Sequence, residues 1–401
     1  VNSIFQNIKG DKVIWAVVGL LAVISFMPVY SASTNLVYVV GNGTTMGHLI
    51  KHGVLLLLGF IVIYAIHKVP YHYFSGLSVL MLPVVVVLLI YTMAQGNTIG
   101  GANASRWIRV PFVGMTFQTS SLASVVLMIY VARYLSKIKD KIVTFKETLV
   151  PLWLPVFVIL ALILPANFST TAIVFAMVLM LTFLGGYPIK YLGIILGAGL
   201  LGLSLFLLTA KAFPDLFPNR VDTWISRIDN FVDGEDTEAD YQIEKAKIAI
   251  ATGGPLGKGP GKSVQKNFLP QSISDFIFAI IVEEWGLLGA FTIIFLYMML
   301  LFRLVIAALK APTVFGKLLV IGVGLPIVFQ ALINMAVAVE LFPVTGQTLP
   351  LISSGGSSIW MTCLALGIVL SVSAKREEIK ELELYDEDGN ENPLAVLSEA
   401  V

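Results

Sequence analysis

The chain has 401 residues, of which 57% are hydrophobic and only 13% charged, against about one-quarter charged in an ordinary soluble domain. That composition excludes a water-soluble globular protein, and 26 basic against 25 acidic residues leave no basic surplus for binding nucleic acid. The single cysteine, Cys363, permits no disulfide within the chain and carries no redox motif.

Apolar runs of the roughly 20 residues needed to cross a hydrocarbon core fall at 13–31, 49–66, 74–94, 117–135, 149–165, 168–186, 190–209, 276–302, 315–340 and 349–373. They predict an all-α integral membrane protein of about ten transmembrane helices. The runs are apolar on every side and do not alternate, which excludes a β-barrel. The first follows Lys9 and Lys12 and reads as a retained helix rather than a cleaved signal peptide. The fifth and sixth divide around Pro165.

Charge between the runs sets the orientation. Alternate loops carry Lys68; Arg133, Lys137, Lys139, Lys141 and Lys146; Lys190; Arg303, Lys310 and Lys317; and Lys375 and Arg376. The intervening short loops hold only Lys51, Arg106 and Arg109. Both termini are therefore expected in the cytoplasm. Residues 1–375 form one polytopic membrane domain, with a large extracytoplasmic loop at about 210–275 between the seventh and eighth helices, and 376–401 form a charged cytoplasmic tail that begins as a helix. Within the loop, Trp224, Ile228 and Phe231 share one helical stripe suited to the membrane interface. DGEDTEAD (233–240) is a polar turn, and YQIEKAKIAIA reads as an amphipathic helix with Tyr241, Lys245 and Ile248 on similar faces. No fixed-period repeat and no two-halves symmetry is visible.

The loop continues as GGPLGKGPGKSVQKNF (253–268), a glycine-rich run containing Gly-Lys-Ser. A P-loop would need glycine at position 256, where this chain has Leu256, and the preceding segment is not a strand. The loop also faces away from cytoplasmic nucleotide. Asp275, at the outer mouth of the eighth run, has two compatible roles: Ser274 or Asp275 as helix N-cap, or Asp275 as a general base for a sugar hydroxyl. Glu283 and Glu284 lie two turns deeper, where an ionised group is usually paired or functional. As neighbours about 100° apart on a helix, at most one is expected to face a given partner. Glu340 can reach the interface. Arg106, Trp107 and Arg109 offer an aromatic belt residue and guanidinium groups shaped for pyrophosphate. His48 and His52 are spaced i, i+4, but no third ligand follows at metal spacing. PVTGQTLPLISSGGSSIWM (343–361) interrupts its apolar pattern with Pro, Gly and Ser, which suits close helix packing or a polar bend lining a cavity.

Five stretches together resemble the SEDS family, the FtsW and RodA cell-wall polymerases: VYSAS (29–33), GANASRWI (101–108), YQIEKAKIAIATGGPLGKG (241–259), LPQSISDFIFAIIVEEWG (269–286) and PVTGQTLPLISSGGSS (343–358). VYSAS and PVTGQTLPLIS look closer to the division branch than to the elongation branch. The resemblance implies a peptidoglycan glycosyltransferase that polymerises lipid II outside the bacterial inner membrane, at the division septum. Asp275 would be its general base. Arg106, Lys258, Lys262 and Lys266 would steady pyrophosphate, and Trp107, Gln118, Gln242, Ser354, Gly355, Gly356 and Ser357 would contribute to substrate binding. Implied partners are lipid II, undecaprenyl-pyrophosphate-linked glycan, membrane lipids, a class B penicillin-binding protein of the FtsI type and divisome regulators. No ligand cluster demands a cofactor, although a divalent cation, Mg or Mn, could bridge the pyrophosphate to Asp275. The chain departs from the family's QPSE and following lysine with Gln118, Thr119, Ser120, Ser121 and then Ser124, from LPE with Gln271, and from PDxGT with Ala166, Asn167, Phe168, Ser169 and Thr170. Loss of an acid and a base together suggests a charge pair replaced by hydroxyls. A lipid II flippase or transporter and a RodA-type elongation polymerase are the alternatives.

Overall fold

The computed structural model describes residues 8–38, 41, 43–94, 98–99, 102–103, 107–109, 116–139, 141–212, 238–269 and 272–384. Arg106, Gln271, the 219–231 stripe and the acidic end of the tail lie outside the described residues.

Ten apolar helices carry the fold: α1 (Lys12–Tyr38), α2 (Thr45–Ile66), α3 (His72–Ala94), α4 (Thr119–Ile138), α5 (Phe145–Ile163, with a π-helical turn over Leu149–Trp153), α6 (Phe168–Leu184), α7 (Ile189–Ala212), α9 (Ile277–Leu309), α10 (Val314–Ala338) and α11 (Gly356–Leu384). An eleventh helix, α8 (Glu238–Gly253), is amphipathic and lies in the loop. Among the described residues nine helices are long and apolar enough to span, and α6, at 17 residues, is the shorter one. Two small hairpins, β1 (Thr98–Ile99) with β2 (Ala102–Asn103) and β3 (Trp107–Arg109) with β4 (Thr116–Gln118), precede α4. Side-chain caps begin several helices: Thr44 accepts from the Gly47 amide, Asn167 from Thr170 and Thr313 from Gly316.

Each of the ten predicted apolar runs contains a helix, nine of them of spanning length among the described residues, and two expectations sharpen. The run 349–373 is not helical throughout: 349–355 is bent backbone, with Leu351 at φ 66°, and α11 begins at Gly356. Arg303, counted as a loop charge, is inside α9, where its guanidinium pairs with Asp11, Nε lying 2.9 Å from Oδ2. The Asp11 amide donates to Ser373 Oγ (2.8 Å), so one ion pair fastens the start of α1 to α9 and α11.

Helices α10 and α11 are the most buried, and α3 and α7 present most of their surface outward. This is the expected grading for a bundle whose periphery faces lipid. At α8 the helix prediction holds, but the face that packs inward is Ile243, Ala246 and Ala249. Tyr241 points out, with the Lys245 ammonium 5.0 Å from its ring centre. The Lys245 stem bends over the aromatic instead of entering the core.

Candidate active site

Residues 272–276 form a turn that delivers Asp275 to the start of α9. Three successive carbonyls in it are each held by a different donor. Ile273 O accepts from the Ser354 amide (3.1 Å), Ser274 O from Ser353 Oγ (2.5 Å) and Asp275 O from Asn334 Nδ2 (2.7 Å). Ser353 Oγ also accepts from the Leu349 amide (2.8 Å), which closes the 349–354 bend on itself. The polar glycine-serine stretch is thus a clamp on the turn that bears Asp275. The expected N-cap role for Ser274 or Asp275 gives way to a different start: the N-cap position is Phe276, buried and without a side-chain cap bond. Tertiary donors hold the carbonyls at this helix end.

Asp275 is half-buried, and its Oδ2 lies 3.6 Å from where a Cβ on Gly346 would sit. Gly346, at φ 66°, turns the chain into a cavity of about 140 Å³ between α4, α6, α10 and α11. Its polar lining comprises Gln118, Ser121, Ser124, Thr170, Gln330, Gln347, Thr348, Ser358 and Thr362, and among the described residues none of the lining is charged. The wall is cross-braced: Gln347 Nε2 donates to Thr170 Oγ1 (3.0 Å), Gln330 Nε2 to Thr348 O (2.9 Å), and Thr348 and Ser358 share a hydroxyl bond (2.8 Å). Pro326 of α10 lies on the same wall. Ser121 and Ser124 both face the cavity, so its described lining is rich in hydroxyls, with Asp275 at its rim. A carboxylate so placed can take a proton from a hydroxyl presented at the mouth.

The glycine-rich loop has a partner within the chain. Helix α9 is broken at Gly286 (φ 65°, ψ −160°), and the backbone groups released there are taken up by the loop. Glu283 O and Glu284 O accept from the Lys258 and Gly259 amides (both 2.9 Å), and the Leu287 amide donates to Gly254 O (3.0 Å). A broken helix at membrane depth needs such internal partners. Close approach explains the glycines: a Cβ on Gly257 would overlap the Glu284 carbonyl.

Both glutamates then turn onto this one loop, contrary to the expectation that only one could. Glu283 accepts from Lys258 Nζ (2.6 Å), from the Val264 and Gln265 amides (each 3.1 Å) and from Ser263 Oγ. Glu284 accepts from the Gly261 amide (3.0 Å), the Ser263 amide (3.3 Å) and Ser31 Oγ. The 100° between neighbours is overcome because the loop wraps across the helix instead of meeting it at one point. The anions in this cradle of amides are the protein's own carboxylates.

Of the three loop lysines, Lys258 is held by Glu283 and Thr252, and Lys266 is buried, donating to Ser31 Oγ (3.0 Å) and Gly261 O (2.8 Å). Lys262 is exposed, with no side-chain partner among the described residues. Trp107 is half-buried and pairs across the β3–β4 hairpin with Gln118, which reaches the cavity. Gln242 is half-buried on α8, away from the cavity lining. Ser354 and Gly355 belong to the clamp, and Gly356 and the buried Ser357 open α11. Glu340 pairs with Lys247 at 2.5 Å. Buried His52 bonds Ser25 Oγ through Nε2 (2.8 Å). Among the described residues no three His, Cys, Asp or Glu side chains gather. Sequence reasoning missed Asn334, Ser353, Gln330 and Gln347 as parts of the site. Asn334, an amide inside the apolar run QALINMAVAV, was the available signal.

These features define a class: a polytopic helical membrane protein whose hydroxyl- and amide-lined cavity carries a clamped carboxylate at its rim. The sequence matches the family described as "Cell cycle protein", comprising FtsW, RodA and SpoVE, over residues 11–378, and the chain belongs to that family. It is 33% identical over 327 residues to a protein of Geobacter sp. (strain M18) described as a probable peptidoglycan glycosyltransferase FtsW, covering 80% of this chain and 84% of that one. A protein of Trichlorobacter lovleyi with the same description is 30% identical, covering 92% and 94%. Among solved structures, a chain from a peptidoglycan synthase complex, described as coordinating polymerization and crosslinking, superposes with TM-score 0.69 at 25% identity, covering 92% of this chain and 98% of that one. The rod shape determining protein RodA of Thermus thermophilus superposes with TM-score 0.65 at 24% identity, covering 92% and 97%.

Proposed function

We infer that the protein is a peptidoglycan glycosyltransferase that polymerises lipid II into β-1,4 glycan strands on the outer face of the cytoplasmic membrane during cell division. The observation that carries this reading is Asp275, clamped at the rim of the cavity in a chain that belongs to the FtsW, RodA and SpoVE family over residues 11–378.

The chemistry follows from the position of the carboxylate. The 4-hydroxyl of an incoming lipid II approaches Asp275, which takes its proton as the oxygen bonds to C1 of the growing strand's terminal sugar. The bond from C1 to the pyrophosphate oxygen breaks, undecaprenyl pyrophosphate leaves with the electron pair, and the α configuration inverts to β. Charge grows on the leaving group in this step, and cations aimed at it lower the barrier. Lys262, exposed and unpaired among the described residues, and Arg106 supply those cations. Lys258 and Lys266 hold the loop that presents Lys262. The neutral hydroxyl and amide lining of the cavity suits sugar hydroxyls better than a second anion.

The chain acts with a class B penicillin-binding protein, since its structural relative functions inside a peptidoglycan synthase complex. It lies in the inner membrane at the septum, both termini cytoplasmic, with residues 1–375 as the membrane domain and 376–401 as a cytoplasmic tail.

The test is incubation of the purified chain and its cognate transpeptidase with labelled lipid II in detergent. A muramidase-sensitive ladder of glycan strands is expected. Absence of polymer, together with lipid II translocation across proteoliposomes, would make the protein a transporter.

A further inference from the structure

We propose that Asn334 is a positioning residue for the transfer reaction, setting Asp275 at the cavity rim; this rests on the reading of Asp275 as the base. Asn334 is 1% exposed. Its amide nitrogen spends both protons on two backbone carbonyls, Asp275 O and Gln347 O, each at 2.7 Å. One belongs to the turn that carries the carboxylate and the other to the cavity wall, so a single planar group sets the spacing between base and chamber.

The orientation of the amide is determined by its neighbours. Flipping it would put Oδ1 against both carbonyls, so nitrogen must face them. Oδ1 is buried with no hydrogen-bond partner among the described residues. Ser353 and the Ser354 amide hold the turn at Ser274 and Ile273, so losing Asn334 leaves those two residues held and removes the donor that ties the Asp275 carbonyl to the cavity wall. A displacement of about 1 Å is enough to cost roughly 100-fold in turnover when the group must meet a reacting atom.

Asn334→Leu removes both bonds while keeping the number and branching of side-chain heavy atoms, and Asn334→Ser keeps one hydroxyl donor. Each is assayed as full-length chain with its cognate transpeptidase on labelled lipid II, with kcat and KM measured separately. Thr182→Val is the control: its hydroxyl bonds only its own helix, at Val178 O and Leu179 O.

The expected result is kcat lower by about 100-fold for Asn334→Leu and by an intermediate factor for Asn334→Ser, KM within about threefold, and the control within about twofold. Unchanged kcat in Asn334→Leu, or a loss confined to KM, overturns the proposal. If Asn334→Leu does not fold, Asn334→Ser decides by the same criteria. Asp275→Asn, run in parallel, separates the two claims. Full activity there refutes the base itself, whereas an inactive Asp275→Asn beside a fully active Asn334→Leu refutes only the positioning role.

Discussion

Gly286→Ala is the sharpest probe of how the glycine-rich loop and α9 depend on each other. At φ 65° and ψ −160° the backbone occupies a region open essentially to glycine, and forcing another residue there costs about 1–3 kcal/mol. The added Cβ would also stand 2.5 Å from the carbonyl carbon and oxygen of Pro255, so the loop must move away. That displacement breaks the bonds from Lys258 and Gly259 to Glu283 O and Glu284 O, and from Leu287 to Gly254 O, each contributing about 0.5–1.5 kcal/mol net. A straighter α9 regains some internal bonds, so the net loss is expected at about 3–5 kcal/mol. Equilibrium unfolding in mixed micelles measures the total, and hydrogen exchange at residues 257–265 locates it. A variant within about 1 kcal/mol of wild type, with those amides still protected, would refute the claim that the loop caps the helix break.

Two further substitutions test the ion pairs. Glu283→Ala strips acceptors from the Val264 and Gln265 amides and from Ser263 Oγ. Because the Lys258 side chain is 31% exposed and can rehydrate, the loss rests mainly on the amides, at about 2–4 kcal/mol by the same unfolding assay. Arg303→Leu leaves Asp11, whose side chain is 7% exposed, as an unpaired buried carboxylate. It is expected to cost about 3 kcal/mol, with most of that recovered in the Asp11→Asn/Arg303→Leu double variant, a non-additivity that a double-mutant cycle reads directly.

The spans were legible because lipid-facing and core-facing positions are both apolar, so length alone separates helix from loop. Asp275 was legible for a related reason: a carboxylate at the mouth of an apolar run stands out on position. The clamp around it was not, since its bonds join Asp275 to Asn334 and Ser274 to Ser353 across 59 and 79 residues, and no local pattern encodes such a pairing. The glycine-rich loop was legible as unusual backbone, but its partner was not: Glu283 and Glu284 take up its amides. Both facts were in the sequence, 253–268 and the adjacent glutamates, without the break at Gly286 that brings them together. Arg303 illustrates a similar limit: a cation at a predicted span boundary becomes a helix residue once Asp11 is there to neutralise it.

The most direct test of the central claim compares wild type with Asp275→Asn, each co-purified with the cognate transpeptidase, for glycan strands formed from labelled lipid II at matched folding and pH. Asparagine keeps the shape of the side chain and removes its capacity to accept a proton. The account predicts polymer from wild type and a rate lower by at least about 100-fold from the variant; equal rates from the two would take Asp275 out of the chemistry.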